Sequence, residues 1–206
     1  MTVPFGLFSG VNVLFTSLTY PPLDRIRNSL MTQLPALTLV LGGAASGKSR
    51  FAEQLCQHSG LTKLYVATAQ VYDDEMAQKV AKHLTQRGTG WKTVEAPVDV
   101  GAALAQATPT DVVLLDCATL WLTNVILGEY DLEAEITRLM AALANCAAPV
   151  VVVSNEVGQG IVPDNALSRR FRNAQGGLNQ TIAAQANLVV AVMAGLPLTL
   201  KGTVPQ

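Results

Sequence analysis

Short, continuous apolar runs recur along the chain from Leu37 onward, separated by longer segments in which apolar and polar positions mix. Continuous apolar runs bounded by polar residues or glycines are typical of strands buried on both faces of a parallel sheet. By this criterion the sequence predicts strands at residues 37–41, 64–67, 112–115, 150–153 and 188–193, with residues 198–200 as a last edge strand. Residues 91–95 are interpreted as a further strand, the third along the chain.

The mixed segments between these runs carry apolar residues at helical spacing. They predict helices over residues 48–57, 74–87, 100–107, 132–144 and 166–186. The adjacent Gly176 and Gly177 predict an irregularity in the last of these helices. Strands that alternate with helices indicate an α/β fold with a mostly parallel sheet and helices on both faces. In such sheets ligands bind at the carboxyl ends of the strands.

The first part of the chain follows a different pattern. Residues 3–18 are apolar but interrupted by small polar residues and glycines, and no Lys or Arg precedes Arg25. The run is shorter than the ~20 apolar residues of a membrane-spanning helix, so we expect no integral membrane span. We interpret residues 1–33 as an extension outside the fold, with Met31 as an alternative start, and residues 34–206 as a single domain. The rival interpretation is a short membrane-surface anchor.

Composition narrows the class of protein. Half of the 206 residues are hydrophobic, 14% are charged and the formal net charge is −1. The chain can therefore bury a sizeable core, and no basic surface indicates nucleic acid as a partner. Cys56, Cys117 and Cys146 are too widely spaced for a metal clip or a dense disulfide framework. They favour three packed thiols in a reducing cytoplasm.

One segment carries a specific chemical signal. Residues 42–49 fit the pattern G-x-x-x-x-G-K-[ST] of a phosphate-binding P-loop. Glycines let the backbone curl around an anion, and the N–H groups of the following helix face the phosphates. Lys48 supplies a catalytic charge near the outer phosphates, and Ser49 a hydroxyl for Mg²⁺. The predicted nucleotide-binding residues here are Gly42, Gly43, Ala44, Ala45, Ser46, Gly47, Lys48 and Ser49.

A second magnesium ligand should follow another buried strand. Asp116 ends the apolar run 112–115, as expected of a Walker B strand. The alternative is that Asp116 caps the next helix. Asp111 lies at the opposite end of the same strand, away from the predicted site.

The chain contains two histidines, and one of them suggests a second chemistry. His58 ends a predicted helix and is interpreted as a surface residue. His83 lies between Lys79 and Arg87 at helical spacing, on one stripe of the predicted helix 74–87. Neighbouring cations favour neutral imidazole, which can attack phosphorus while the cations hold phosphates. Spacing alone leaves open a solvated basic stripe with an uninvolved histidine.

Two further polar groups have an open interpretation. Glu156 follows a buried strand and is either a second acidic group at the active edge or part of a polar turn. Arg169, Arg170 and Arg172 cluster on the last helix, where they either meet phosphates or form a solvated basic face.

Together these motifs resemble the bifunctional adenosylcobinamide kinase/adenosylcobinamide-phosphate guanylyltransferases of cobalamin synthesis. The resemblance runs from about Leu37 to Lys201. It is carried by residues 42–50, 65–69, 73–76, 91–95, 115–117, 122–124 and 155–163, with His83, Arg87, Arg169, Phe171, Arg172, Asn179 and Gln180. The string Asn-Glu-Val-Gly-x-Gly-Ile-Val-Pro at 155–163 and the spacing of His83 and Arg87 are far more selective than the P-loop.

The resemblance implies two reactions. Such enzymes phosphorylate adenosylcobinamide with a nucleoside triphosphate, either ATP or GTP. They then transfer GMP from GTP to the product through a covalent GMP–histidine, with release of pyrophosphate. By position, the histidine is His83. The resemblance also implies nucleotide contacts from Ala67, Thr68, Ala69, Arg87 and Glu95, and a homotrimer with each site near a subunit boundary.

The sequence departs from the family at three positions. Asp116 stands where some relatives carry Glu, while Asn173 and Asn187 replace a common Asp. None of these changes removes a predicted catalytic group. Two other functions fit the P-loop: a plain small-molecule kinase, which needs Lys48 and Asp116 but not His83, and a nucleotide-operated switch that acts through a protein partner.

Overall fold

A computed structural model describes residues 34–70 and 87–205. The N-terminal extension 1–33 and the predicted helix 74–87, except Arg87, lie outside the described residues. The strands are β1 (Leu37–Gly42), β2 (Thr62–Ala67), β3 (Trp91–Glu95), β4 (Asp111–Asp116), β5 (Val150–Asn155), β6 (Leu188–Met193) and β7 (Leu196–Lys201). The helices are α1 (Lys48–His58), α2 (Val100–Leu104), α3 (Ala118–Leu127), α4 (Leu132–Asn145) and α5 (Ala166–Gln185).

All seven strands join one sheet in the order β3-β2-β4-β5-β1-β6-β7. The first six strands in this order pair in parallel, and β7 returns antiparallel to β6. The β6–β7 hairpin turns at Ala194 and Gly195, whose φ angles of 51° and 79° are those that a tight hairpin of this kind requires. The predicted mostly parallel α/β sheet is confirmed.

The two faces of the sheet bury separate hydrophobic clusters because successive strand residues point to opposite sides. Leu39 of β1 packs in one cluster with α2, α3, α4 and α5, whereas Val40 packs in the other with α1. Helices therefore cover both faces, and β1, between β5 and β6, is shielded on every side. The carboxyl ends of β1, β2, β4 and β5 consequently meet at one edge of the sheet.

Every predicted strand is present, with bounds that differ by at most two residues at either end, and β3 and β6 have the predicted bounds. The helix α3 was not predicted. Its residues are apolar around most of the circumference, with Trp121, Leu122, Val125 and Ile126 all buried. A helix buried on most sides lacks the amphipathic period by which helices are recognised in a sequence.

Two predictions about helices were wrong in detail. The helix α5 runs through Gly176 and Gly177 without interruption, because the buried neighbours Gln175, Leu178 and Ile182 hold its inner face against the sheet. The helix α2 ends at Leu104, and residues 105–107 continue as tighter turns. Within the described ranges, no helix has the length and apolar character needed to cross a membrane.

Candidate active site

The P-loop begins where β1 ends and closes into the first turn of α1. Ala45 and Gly47 take positive φ angles of 55° and 96°, and the Ser46 N–H donates to the Gly43 carbonyl at 3.3 Å. Residues with positive φ among residues of ordinary φ turn successive N–H groups toward one concave side. The loop therefore has the backbone form of an anion-binding nest.

The first turn of α1 leaves its amide groups available. Its N-cap is Gly47, and no side chain caps it, whereas Asp99, Asp131 and Asn165 cap α2, α4 and α5. Uncapped N–H groups at a helix N-terminus attract a negatively charged ligand. The Ser46 hydroxyl is also buried without a hydrogen-bond partner among the described residues. Both observations fit a bound phosphate group.

The β6–β7 hairpin holds the P-loop from behind. The Gly195 N–H donates to the Ser46 carbonyl at 2.8 Å. A Cβ on Gly42 would lie 2.6 Å from the Val192 carbonyl oxygen, and a Cβ on Gly47 would lie 3.1 Å from the Gly195 Cα. Glycine at 42 is thus required by backbone packing, and glycine at 47 is favoured both by packing and by its positive φ.

Lys48 and Asp116 share one side of the loop. The Lys48 ammonium donates to the Gly43 carbonyl at 3.2 Å. Burial lowers the pKa of Lys48, while the nearby Cys117 and Asp116 act in the opposite direction. The positive charge therefore lies beside the strand end that carries Asp116, where a triphosphate would find both groups.

Asp116 does not cap the following helix. Its Oδ2 accepts a hydrogen bond from the Tyr65 hydroxyl at 2.8 Å, and the N-cap of α3 is Cys117, which makes no side-chain cap. The alternative of a capping role is therefore not supported. Asp111 accepts from Thr108 at the far end of β4, which lowers the pKa of Asp111. Its predicted place away from the site is confirmed.

The oxygen donors near the loop fit a magnesium ion. Ser49 is half-buried in the first turn of α1, and Asp116 is half-exposed at the end of β4. The described part of the chain contains no group of three His, Cys, Asp or Glu side chains that could hold a metal by itself. Mg²⁺ typically takes one or two protein oxygens and completes its shell with phosphate oxygens and water. Ser49 and Asp116 match that pattern.

Near Asp116, the side chains of Arg87 and Glu53 are both buried, and Arg87 stacks on an aromatic ring. The Arg87 guanidinium lies 3.4 Å from the centroid of the Tyr65 ring, and Arg87 is 5% exposed. Glu53 of α1 is 3% exposed, and its Oε1 has no partner among the described residues. Burial, and next the charge of Asp116, raise the pKa of Glu53 to about 7, while Arg87 acts against them. Burial likewise raises the pKa of Tyr65, so its hydroxyl keeps its proton.

Sequence reasoning missed the roles of Tyr65 and Glu53. The signal for Glu53 was present, since it stands beside Ala52 on the buried face of α1 with Leu55 and Cys56. An acidic residue on the apolar face of a helix is rarely buried unless it is paired. Tyr65 carried no comparable signal, because a tyrosine in a strand usually serves the core.

The nucleotide contacts implied by the family resemblance fall at neighbouring strand ends. Ala67 pairs with both Asp116 and Glu95 across the sheet, and Glu95 is exposed. The Thr68 side chain is buried and exchanges hydrogen bonds of 2.8 Å with the backbone of Cys117. Ala69 follows, half-exposed. The ends of β3, β2 and β4 thus lie side by side at this edge of the sheet. The Thr68 side chain links the end of β2 to the residue after β4.

The residues after β5 support a polar turn. The Glu156 carboxylate accepts from the Gly158 N–H at 2.6 Å, and the Glu156 N–H donates to the Gly42 carbonyl at 3.1 Å. Arg169 donates to the carbonyls of Pro163 and Asp164, so it fixes the loop before α5. Arg170 is exposed and Arg172 half-exposed. Glu156 therefore shapes the strand end through its backbone and its turn.

A buried polar network anchors this strand end to α5. Gln175 donates to the Ser154 hydroxyl at 2.9 Å and to Asn179, and Asn179 donates to the Asn155 carbonyl at 3.0 Å. Thr119 accepts from the Asn155 N–H at 2.8 Å. Buried networks of this kind rigidify the groups that they join. The end of β5 is therefore held in place beside Gly42.

The two histidines and three cysteines have different outcomes. His58 is the exposed last residue of α1, as predicted. His83 lies outside the described residues. All three cysteines are free, with Cys56 and Cys117 buried and Cys146 half-buried. Burial raises the pKa of Cys117 to about 12, so it is inert as a thiolate.

A family model described as cobinamide kinase / cobinamide phosphate guanyltransferase matches residues 38–200. The chain belongs to this family. The match covers β1 to β7 with the P-loop and Asp116, so the predicted kinase and guanylyltransferase of cobalamin synthesis is confirmed at the level of the family.

Curated relatives agree with the family assignment. The chain is 44% identical over 167 residues to a bifunctional adenosylcobalamin biosynthesis protein CobP of Pseudomonas aeruginosa, covering 80% of this chain and 96% of the relative. It is 42% identical over 181 residues to a bifunctional adenosylcobalamin biosynthesis protein CobU of Escherichia coli, covering 80% of this chain and 99% of the relative.

A solved structure shares the fold at much lower identity. A prototypical ATPase from the type III secretion system of pathogenic bacteria aligns with a TM-score of 0.50 at 8% identity, covering 85% of this chain and 60% of that one. This likeness concerns the fold alone, and it agrees with the predicted P-loop architecture.

The close packing of the loop predicts a contrast between two glycines. Gly42→Ala should lower the free energy of unfolding by about 1–3 kcal/mol, because the new methyl group meets the Val192 carbonyl. Gly43→Ala should change it by less than about 0.5 kcal/mol, since nothing lies within 4 Å of its Cβ position. Denaturant unfolding without nucleotide measures both values, and equal losses would contradict the packing argument.

The buried carboxyl of Glu53 predicts a pH-dependent stability. Its pKa in the folded protein, about 7, is above its ordinary value of 4.5. The folded state therefore binds the proton more tightly, and this contribution to stability is lost as the pH rises from about 4.5 to about 7. The free energy of unfolding of Glu53→Gln, taken relative to that of the wild type, should therefore rise by on the order of 1 kcal/mol between pH 5 and pH 8.

Unfolding free energies at several pH values check this expectation. The gain should level off above pH about 7, where the wild-type carboxyl is ionised in both states. Glu95→Gln, which removes an exposed carboxylate, is the matched control and should show no comparable rise. A Glu53→Gln difference that stays constant with pH would contradict the assigned cause.

Proposed function

We propose that the protein phosphorylates adenosylcobinamide and then converts adenosylcobinamide phosphate to adenosylcobinamide-GDP through a GMP–histidine intermediate at His83. The observation that carries the proposal is the uncapped, glycine-lined nest at the end of β1, in a chain whose residues 38–200 match the kinase/guanyltransferase family. The proposal assigns the whole chemistry to one domain, residues 34–206, of a cytoplasmic enzyme.

In the kinase reaction, the P-loop amides and Lys48 bind the triphosphate. The acceptor hydroxyl of adenosylcobinamide attacks the γ-phosphorus and releases its proton to solvent, the bond to the β–γ bridging oxygen breaks, and a nucleoside diphosphate leaves. Lys48 and the helix N-terminus stabilise charge on the phosphoryl oxygens, which is the main contribution of a protein to such a transfer. The Ser46 hydroxyl, buried without a partner among the described residues, supplies one more donor.

In the guanylyl transfer, the His83 imidazole nitrogen attacks the α-phosphorus of GTP. The bond from the α-phosphorus to the α–β bridging oxygen breaks, and pyrophosphate leaves. A phosphate oxygen of adenosylcobinamide phosphate then attacks the same phosphorus and displaces the imidazole. Two steps of this kind replace one difficult transfer. We propose that Ala67, Thr68, Ala69, Arg87 and Glu95 contact the nucleotide.

We propose that Ser49 and Asp116 hold Mg²⁺ with the nucleotide phosphates. The ion supplies charge neutralisation at the phosphate oxygens. The support is the donor set described above, in which Asp116 makes no cap and keeps one carboxylate oxygen without a hydrogen bond from any described side chain.

We also propose a homo-oligomer, in the form of a trimer. Ile161, Val162 and Leu167 are large apolar side chains that are 97%, 61% and 53% exposed. Neighbouring apolar side chains with such exposure favour burial against another surface.

The covalent intermediate predicts a change in mass. After incubation with GTP and Mg²⁺, the intact wild-type protein should gain the mass of one GMP, and acid should remove it. His83→Ala should give no adduct. His58→Ala is the matched control, because it removes the other histidine of the chain, and it should still form the adduct.

The same variants separate the two activities. His83→Ala should keep the transfer of phosphate to adenosylcobinamide, measured with labelled ATP or GTP, while it loses the guanylyl transfer. A folded, GTP-binding wild type without any adduct would contradict the intermediate and favour a monofunctional kinase. Loss of both activities by a folded His83→Ala would contradict this division of labour.

A further inference from the structure

Tyr65 joins the core to the carboxylate at the active edge. It lies in the middle of β2 opposite Leu114, and Asp116 stands two residues further along β4. Because side chains alternate along a strand, Tyr65 and Asp116 point to the same face of the sheet, the face that α1 covers. The Tyr65 hydroxyl therefore reaches diagonally across to Asp116, with an O–O distance of 2.8 Å.

The position of the tyrosine ring is set by its burial and by two contacts. The ring is buried, with an exposed fraction of 7%. The Arg87 guanidinium stacks 3.4 Å from its centroid on one side, and Trp91 packs edge-on with a centroid distance of 6.1 Å. A ring held in this way gives its hydroxyl little freedom, so the hydrogen bond constrains Asp116 rather than the reverse.

Asp116 has no other side-chain donor among the described residues. Its carboxylate stands at a strand end, half-exposed, beside the Lys48 ammonium. The Tyr65 bond occupies Oδ2 and leaves Oδ1 as the atom available to a cation at the loop. Carboxylates that bind metals are themselves commonly oriented by such outer hydrogen bonds.

We propose that Tyr65 is a positioning residue, whose buried hydroxyl orients the Asp116 carboxylate for the magnesium ion of the bound nucleotide. The inference rests on the proposed magnesium role of Asp116. Tyr65 then has a function beyond packing, and the Arg87 guanidinium holds the tyrosine ring in place.

The test measures metal binding itself. Mn²⁺ serves as a paramagnetic substitute for Mg²⁺, and electron paramagnetic resonance counts the free ion in the presence of protein and a non-hydrolysable GTP analogue. Tyr65→Phe should raise the Mn²⁺ Kd about tenfold, as expected for loss of an outer-shell partner. Its affinity for the analogue in EDTA should stay within about twofold of the wild type, since no nucleotide contact is lost.

Two further variants make the result decisive. Tyr130→Phe removes the hydroxyl of an exposed tyrosine. It should keep the wild-type Mn²⁺ Kd. Asp116→Asn should weaken Mn²⁺ binding at least as much as Tyr65→Phe, because it removes the charge of the ligand.

The outcomes separate this inference from the proposed function. A Tyr65→Phe variant with an unchanged Mn²⁺ Kd, while Asp116→Asn binds weakly, would overturn the role of Tyr65 and leave that of Asp116 intact. Equal weakening by Tyr65→Phe and Tyr130→Phe would show an effect that is not specific to the Tyr65 hydroxyl and would overturn its positioning role. Unchanged binding by Asp116→Asn would overturn the proposed metal site and the inference with it.

Discussion

The enclosure of β1 between two parallel neighbours is the constraint on which the candidate site depends. The strands β5 and β6 pair with β1 on either side, and the chain passes from the carboxyl end of β1 through the five residues 43–47 into α1. Gly42 and Gly47 permit that turn in the little space left by the β6–β7 hairpin. The result is a rigid nest of amide groups with a helix N-terminus that no side chain caps. Rigidity is useful here, because donors that are already oriented need no reorganisation when charge develops on a phosphate.

The charged side chains around this nest form two groups, one at the accessible edge of the sheet and one buried. Lys48 and Asp116 stand at the edge that solvent and ligand can reach, while Glu53 and Arg87 lie behind them and are buried. Tyr65 links the two groups through its ring and its hydroxyl. A buried charge is costly unless a partner compensates for it. The protonation of the buried group is therefore coupled to the charge of a ligand that binds at Lys48 and Asp116. Binding of a metal ion and nucleotide beside Asp116 would therefore change the pKa of Glu53, because the charge of Asp116 raises that pKa.

The sequence predicted the structure correctly wherever the prediction depended on a single local pattern. Continuous apolar runs identified most of the seven strands, and the P-loop pattern identified the nest, because both signals lie within a few consecutive residues. The pattern failed for α3, whose buried circumference hides its helical period, and for Gly176 and Gly177, whose effect the packing of Gln175 and Leu178 overrides. Local propensity is a weak guide where tertiary contacts decide the outcome.

The sequence by itself determined the class of fold, the location of the phosphate-binding loop and the family, since each depends on consecutive residues or on a short spacing. Only the tertiary structure decided which distant groups meet. Strand order brought Asp116 beside Lys48, the register of β2 and β4 placed the Tyr65 hydroxyl on Asp116, and the Arg87 guanidinium stacked on the Tyr65 ring. These contacts join residues far apart in the chain, and their geometry follows from how the sheet is assembled, which no local pattern encodes.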